Sequence, residues 1–272
     1  MTIKELLTQT EKKLKDSCER PRFEAELLLA YHLKKERTYL HAFDDHQVQK
    51  IEQFDALVAR RANHEPYEYI VGEASFYDLS LAVERGVLIP RPETEILIDL
   101  VAKIIEREKI EIIAEIGIGS GAISVVLARK FPHLKILATD ISELPIRVAY
   151  QNIRRFGVED QITLIHSNLL DKVDTSVELI ISNPPYIAED FLLASNVVDY
   201  EPKEALFGGV VGDELLKKIV MDAQRRNVRY LACEMGYDQK APMEQFFREI
   251  GIKSYKFYQD LAKFDRGFVI TF

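Results

Sequence analysis

The chain has few cysteines, no long apolar run and no surplus of basic charge. Its 272 residues contain two cysteines, Cys18 and Cys233, too few for a disulfide framework, so a reducing cytoplasm is the expected setting. Neither cysteine stands in a Cys or His cluster, and no zinc site is expected. No window approaches the ~18 uninterrupted apolar residues of a membrane span. The opening Met-Thr-Ile-Lys-Glu-Leu-Leu-Thr carries no signal-peptide core. Net charge is −8, whereas proteins that track a phosphate backbone usually carry a basic surplus. That balance disfavours a nucleic-acid substrate and suits a small molecule or a basic protein surface. Repeats and low-complexity tracts are absent. With 47% hydrophobic and 29% charged residues, the composition is that of an ordinary globular protein.

Three regions follow one another. Residues 1–65 pattern as a small helical bundle. Thr2 and Glu5 have capping-box spacing, Pro21 suits a first helical turn, and Val48, Ile51, Phe54, Leu57 and Val58 form one stripe. Residues 66–92 pattern as a β-hairpin linker: Phe76, Leu79, Leu81 and Val83 fall in strand-like alternation, punctuated by Gly72 and Gly86. It ends in a run dense in proline and charge, Ile89-Pro-Arg-Pro-Glu-Thr-Glu95, in which Glu93 or Thr94 could cap the next helix. Residues 93–272 alternate apolar strands with helical patterns, which predicts a mostly parallel sheet with helices on both faces. The strands are expected at 110–116, 135–139, 162–165, 177–181, 230–233, 254–258 and 268–272. Helices are expected at 122–130, 146–156, 214–225 and 240–250.

The candidate chemistry lies at strand ends. After the first strand comes Gly117-Ile118-Gly119-Ser120-Gly121. Glycines at alternate positions let a backbone turn sharply and approach a ligand. The spacing is neither the dinucleotide G-x-G-x-x-G nor a P-loop, since no G-K-[ST] follows. Asp140 ends the second strand, where an acid can accept ribose hydroxyls or simply cap the next helix. Asn168 ends the third, able to read an adenine edge or to form a turn. The fourth ends in Asn183-Pro184-Pro185-Tyr186. Two prolines supply no N–H, so carbonyls beside them can face a ligand. Asn183 adds an acceptor oxygen and Tyr186 a flat face, together able to grip a planar group with N–H donors. The simpler alternative is a proline-rich turn. Ligands of open α/β sheets bind outside the carboxyl ends of the strands, so all four motifs would face one crevice.

These motifs resemble the class I S-adenosylmethionine-dependent methyltransferases that act on planar nitrogens. More narrowly, the chain resembles the HemK/PrmC protein-glutamine methyltransferases. The markers are Glu24-Ala-Glu-Leu-Leu-Leu, Phe76, the 89–95 run, the glycine loop and Asn183-Pro-Pro-Tyr186. Others are Tyr200-Glu-Pro, Ala205-Leu-Phe-Gly-Gly209, Glu234-Met-Gly-Tyr-Asp-Gln239, Asp260-Leu-Ala and Asp265-Arg266. The resemblance implies a Rossmann-like seven-stranded domain behind the bundle and hairpin, with S-adenosyl-L-methionine as methyl donor. The implied acceptor is the GGQ-motif glutamine of class 1 peptide chain release factors, with no membrane, metal or direct nucleic-acid partner. It implies that the Asn183 oxygen and the Pro184 carbonyl accept the two amide N–H groups. Tyr186 stacks on the amide plane, Pro185 belongs to the substrate-binding set, and Phe76 closes the pocket. Gly117 to Gly121, Asp140, Asn168 and Asn183 would hold the cofactor. Glu115 stands where the family usually has Asp, and its role is left open. The bundle would recognise the partner. An adenine-N6 or other nucleic-acid amino methyltransferase is the alternative, disfavoured because residues 1–63 mix Lys12, Lys13, Lys15 and Arg20 with many acids.

Overall fold

The computed structural model describes residues 1–272, the side chain of Ser195 excepted. The chain packs as two compact units, one of residues 1–73 with 193–200, the other of residues 74–192 with 201–272.

The first unit holds α1 (Ile3–Lys13), α2 (Pro21–Leu33), α3 (Arg37–Ala42), α4 (Ile51–Ala62), α5 (Tyr67–Val71) and the short α9 (Ser195–Val198). Thr2 caps α1 in a reciprocal box with Glu5, and Pro21 opens α2 at its first turn, where a missing N–H costs nothing. Ile3, Leu6, Leu7, Leu28, Leu29, Phe54 and Val58 form one core cluster. Val48 belongs to that core but precedes α4. The short α3, too brief to carry a periodic stripe, was not foreseen.

The hairpin β1 (Glu73–Phe76) and β2 (Leu79–Ala82), which enters the second unit at Ala74, is followed by α6 (Thr94–Glu108). Strands and helices then alternate: β3 (Ile112–Ile116), α7 (Ala122–Lys130), β4 (Lys135–Asp140), α8 (Glu143–Phe156), β5 (Ile162–His166) and β6 (Leu179–Ser182). A two-stranded piece, β7 (Ile187–Ala188) with β8 (Phe207–Gly209), precedes α10 (Glu214–Arg225), β9 (Tyr230–Glu234), α11 (Lys240–Glu249), β10 (Ser254–Gln259) and β11 (Asp265–Thr271). The main sheet runs β10-β11-β9-β6-β3-β4-β5, parallel except at β11, which pairs antiparallel with both neighbours.

Both faces of the central strands are covered, which is why they read as unbroken apolar runs. Alternate residues feed different cores. Ile113, Ile181 and Ala232 join Leu97, Ile123 and Ile153 of α6, α7 and α8. Ala114, Ile180 and Leu231 join Leu216 of α10 and Met243 and Phe247 of α11. Each fully buried Leu, Ile or Phe there is worth ~1.5–3 kcal/mol of burial. The seven-stranded sheet between two helical layers is the architecture anticipated from the alternation. Strand β6 starts at Leu179, not at residue 177; just before it, the Glu178 carboxylate accepts the N–H groups of Glu111 and Ile112.

Candidate active site

The sheet changes direction at β3. From β3 the chain steps to β4 and β5 on one side, then returns to β6 on the other. Such a switch point opens a crevice at the carboxyl ends of the strands. Register places the candidate motifs along that edge. Ile116 pairs with Thr139 on one side and with Ser182 on the other, and Ser182 pairs with Cys233. The Ser182 hydroxyl donates to the Ile116 carbonyl at 2.8 Å, tying the two strand ends together. Gly117, Asp140, Asn183 and Glu234 each lie at, or one residue beyond, this row, so side chains distant in sequence share one edge.

The glycine loop turns left-handed, with φ of +77°, +55° and +85° at Gly117, Gly119 and Gly121. A Cβ on Gly121 would meet the Ala149 Cβ of α8 at 3.3 Å, so this glycine serves helix packing. At Gly117 and Gly119 a Cβ would meet nothing within 4 Å, so there the backbone conformation, not crowding, demands glycine. Ile118 and Ser120 point inward and are buried. The N–H groups of Gly117 and Ile118 donate to the Thr139 carbonyl, both at 2.9 Å.

Asp140 joins the loop to α8. One carboxylate oxygen accepts the Gly119 N–H at 3.2 Å and the other the Ser142 N–H at 3.0 Å. Burial pushes its carboxyl up, and those amide hydrogen bonds oppose the shift. Next to it Ile141 is apolar yet 62% exposed. Sequence reasoning passed over this residue; its signal was an apolar side chain directly after an acid that ends a strand. Glu115 is buried, hydrogen-bonded by the Ser124 hydroxyl of α7, and burial pushes its carboxyl up to about 8. Asn168 is exposed at the far end of the row, where its carbonyl accepts the Asp171 N–H of a turn.

At β6 the tetrapeptide is held from behind. The Asn183 amide nitrogen donates to the Thr94 hydroxyl at 3.0 Å. That hydroxyl donates to Glu234 at 2.8 Å, and the Tyr186 hydroxyl reaches the other Glu234 oxygen at 3.0 Å. Thr94 and Glu234 are buried, Pro184 is buried, and Asn183, Pro185 and Tyr186 are half-buried. Burial pushes the Glu234 carboxyl up to about 7, while the Thr94 and Tyr186 hydroxyls pull it down. The same burial, with Glu234 beside it, pushes the Tyr186 hydroxyl far up. The side chain of Gln239 donates to the Tyr186 carbonyl at 2.8 Å. A Cβ on Gly208 would come within 2.5 Å of the Pro185 carbonyl oxygen, so β8 clamps the exit of the tetrapeptide only as glycine.

One detail differs from the sequence reading. Neither Glu93 nor Thr94 caps α6 with its side chain; Thr94 turns to Glu234 instead. Phe76 is 2% exposed and lies in the core cluster with Leu97, Ile98 and Ile118. No group of His, Cys, Asp and Glu suited to a metal occurs among the described residues, and no described helix is long and apolar enough to cross a membrane.

Residues 5–72 match the PrmC N-terminal domain family, and residues 93–199 match the methyltransferase small domain family. A release factor glutamine methyltransferase of Dictyoglomus turgidum is 40% identical, covering 85% of this chain and 83% of that protein. One from Clostridium botulinum is 34% identical, covering 89% of each. The chain belongs to the release factor glutamine methyltransferase family. In fold it is similar to the catalytic domain of human METTL16, solved in complex with a MAT2A 3′UTR hairpin, at a TM-score of 0.60 and 19% identity over 72% of this chain and 76% of that one. The N-terminal domain of human METTL16 solved with SAH gives a TM-score of 0.55 at 19% identity, over 72% of this chain and 76% of that one. At that identity the likeness is one of fold alone.

Proposed function

We propose that this protein transfers a methyl group from S-adenosyl-L-methionine to the side-chain amide nitrogen of a glutamine in class 1 peptide chain release factors. The observation that carries the reading is the Ile116–Ser182 register, which sets the glycine turn and Asn183 side by side at the switch point of the sheet. Family membership gives the acceptor class.

The residues present suit the cofactor. Gly117 and Gly119 leave open space where other residues would place a Cβ. Asp140 keeps unused lone pairs after accepting two amides, enough for ribose hydroxyls. Ile141 offers an exposed apolar face for a flat ring. Asn168 serves the same end of the cofactor, and Ile118 and Ser120 hold the loop's shape from below. When bound, the cofactor supplies an electrophilic methyl on sulfonium, which is the hard part of the chemistry.

The chain's own work is orientation. An amide nitrogen is a weak nucleophile because its lone pair is shared with its carbonyl. The Asn183 Oδ1 and the Pro184 carbonyl accept the two N–H groups, which pushes electron density onto nitrogen and fixes its direction. Tyr186 and Pro185 flank the plane of the amide, and Phe76 closes the apolar side from within the core. No base is needed before attack, because the methylated product sheds its proton readily. Residues 1–65 recognise the partner, with residues 66–92 linking them to the methyltransferase domain, 93–272. The bundle carries an open groove of about 1020 Å³ lined by Tyr31, Tyr67, Lys34 and Lys35 over Leu27 and Leu57.

The test is transfer of labelled methyl to a purified class 1 release factor, followed by mapping of the modified residue. Label on the glutamine of the GGQ motif supports the reading. Label on DNA or RNA oligonucleotides, with none on the factor, would reverse it.

A further inference from the structure

We infer that Thr94 and Glu234 are positioning residues that set the polarity of the Asn183 carboxamide, turning its oxygen, and not its nitrogen, toward the acceptor. The inference rests on the functional reading above and assigns a role to two buried side chains, Thr94 and Glu234, behind Asn183.

The argument is one of hydrogen counting. Oxygen and nitrogen of a carboxamide have the same shape, so packing cannot choose between the two orientations. The hydrogen-bond chain can. An ionised Glu234 only accepts, and it takes the Tyr186 hydroxyl on one oxygen and the Thr94 hydroxyl on the other, at 3.0 and 2.8 Å. Thr94 has a single hydroxyl hydrogen, and that hydrogen is committed to Glu234. Its remaining contact, to Asn183 at 3.0 Å, must therefore be one that Thr94 accepts. Asn183 can donate only through its nitrogen, so Oδ1 faces the other way. All four groups are buried or half-buried, so little water is available to satisfy the alternative.

Protonation of Glu234 removes the constraint. A carboxylic acid can donate to Thr94, which then releases its own hydrogen toward Asn183. The carboxamide turns over and presents N–H groups to the N–H groups of an acceptor amide, and two donors cannot bond. Burial holds the Glu234 carboxyl up at about 7, so the change falls within the working range of pH. The groups facing Glu234 are the hydroxyls of Tyr186 and Tyr258, the carboxylate of Glu93, which raises its pKa, and the guanidinium of Arg266, which lowers it. Cys233 precedes it on β9, and Arg91 faces Tyr186. Arg266 is itself engaged by Asp260 at 2.8 Å, so its charge is partly spent elsewhere.

The experiment has two arms. In the first, the side-chain ¹⁵N–¹H₂ signals of Asn183 are followed by NMR in the wild-type protein from pH 5.5 to 8.5, without substrate. A single titration with a midpoint near 7, lost in Glu234→Gln, is expected; signals independent of pH overturn the relay whatever the protein methylates. In the second, kcat and KM are measured for a release factor over the same range. Wild-type kcat should rise with pH through ~7. Thr94→Val should lower kcat on the order of tenfold or more, with cofactor affinity and thermal midpoint nearly unchanged, and Thr94→Ser should recover most of it. Glu234→Gln should be low and flat with pH. A wild-type acid limb kept in Glu234→Gln, or Thr94→Ser as impaired as Thr94→Val, overturns the inference. A relay that titrates in a wild-type protein that methylates no release factor leaves the relay standing and removes the functional reading.

Discussion

The bundle and the strand-end row of the sheet handle buried charge in opposite ways. In the bundle, Glu26 is 5% exposed but meets Arg37 at 2.7 Å and Arg22 at 3.1 Å, and Arg61 meets Glu24 at 3.0 Å. Each buried charge there is matched by an opposite charge, the arrangement that offsets the cost of burying it. Along the row, Glu115 and Glu234 are each 1% exposed and have hydroxyl partners in place of cations. No fold needs two such carboxyls for stability, since apolar residues would pack more cheaply. Perturbed, cation-poor carboxyls gathered at one edge of a sheet are candidates for a functional site. The contrast separates scaffold from site without reference to any relative.

The comparison breaks most sharply at Asn183. Asn183→Ala should lower methyl transfer by ~10²-fold or more, the scale of losing one oriented polar contact, with cofactor affinity largely kept. Near-wild-type turnover on a release factor would return the tetrapeptide to the status of a turn. Asp140→Ala should act on the other half of the site. It removes the acceptor of two loop amides together with any ribose contact, so binding of S-adenosyl-L-methionine should weaken by roughly ten- to a hundredfold. An unchanged affinity by calorimetry would leave Asp140 only its turn-forming role, which the Ser142 contact already displays.

Much of this was legible in the sequence, and the reasons are physical. The order of strands and helices could be read because buried parallel strands are continuous in sequence and helices carry stripes, as in Leu216, Ile219, Val220 and Ala223 of α10. Gly117, Asp140 and Asn183 could be read because each is an unusual residue at the end of an apolar run. Thr94 was read only as a possible helix cap, and Glu234 was named only inside a longer marker. Their pairing spans 140 residues and depends on the start of α6 packing against the end of β9, which no local pattern encodes. Ile141 escaped because exposure of one apolar side chain is a property of the fold. The β7–β8 pair escaped because strands of two and three residues have no periodicity to read.

The two regions should also answer pH with opposite signs. Burial pushes the Glu26 carboxyl up, but hydrogen bonds from Arg37 and Arg22 outweigh it and leave it below the usual range. A lowered group stabilises the fold above its unfolded value of ~4.3 and loses that contribution as pH falls through the folded value. Glu115 and Glu234 are raised, to about 8 and about 7, chiefly by burial. The native state then holds protons that the unfolded chain would release, so their contribution is full below ~4.3 and declines as pH rises toward 7 and 8. Peptide-resolved hydrogen exchange, corrected for intrinsic rates, should show the second unit less protected at pH 8 than at pH 5.5, on the order of 5 kcal/mol for the two carboxyls together. The bundle should lose protection only below pH ~4. A common shift of both units in one direction would show that the contrast in buried charge does not govern stability.

The smallest effect is the most discriminating for the bundle. Thr2 and Glu5 exchange two hydrogen bonds at the start of α1, at 3.2 and 2.9 Å. Replacing a capping hydroxyl by a methyl costs ~1 kcal/mol in typical helices. Here Thr2→Ala leaves the second bond intact, because Glu5 accepts the backbone N–H of residue 2, and Ile3, Leu6 and Leu7 still anchor α1 in the core. The loss should therefore be at or below ~1 kcal/mol and confined to exchange in the first unit. If the bundle recognises the partner and takes no part in the chemistry, kcat at saturating release factor should not change. The KM for the factor should rise only at temperatures where the bundle begins to open. A fall in kcat under conditions where α1 remains protected would mean that the two regions are not divided into docking and catalysis, because a helix cap contributes nothing to orienting an amide.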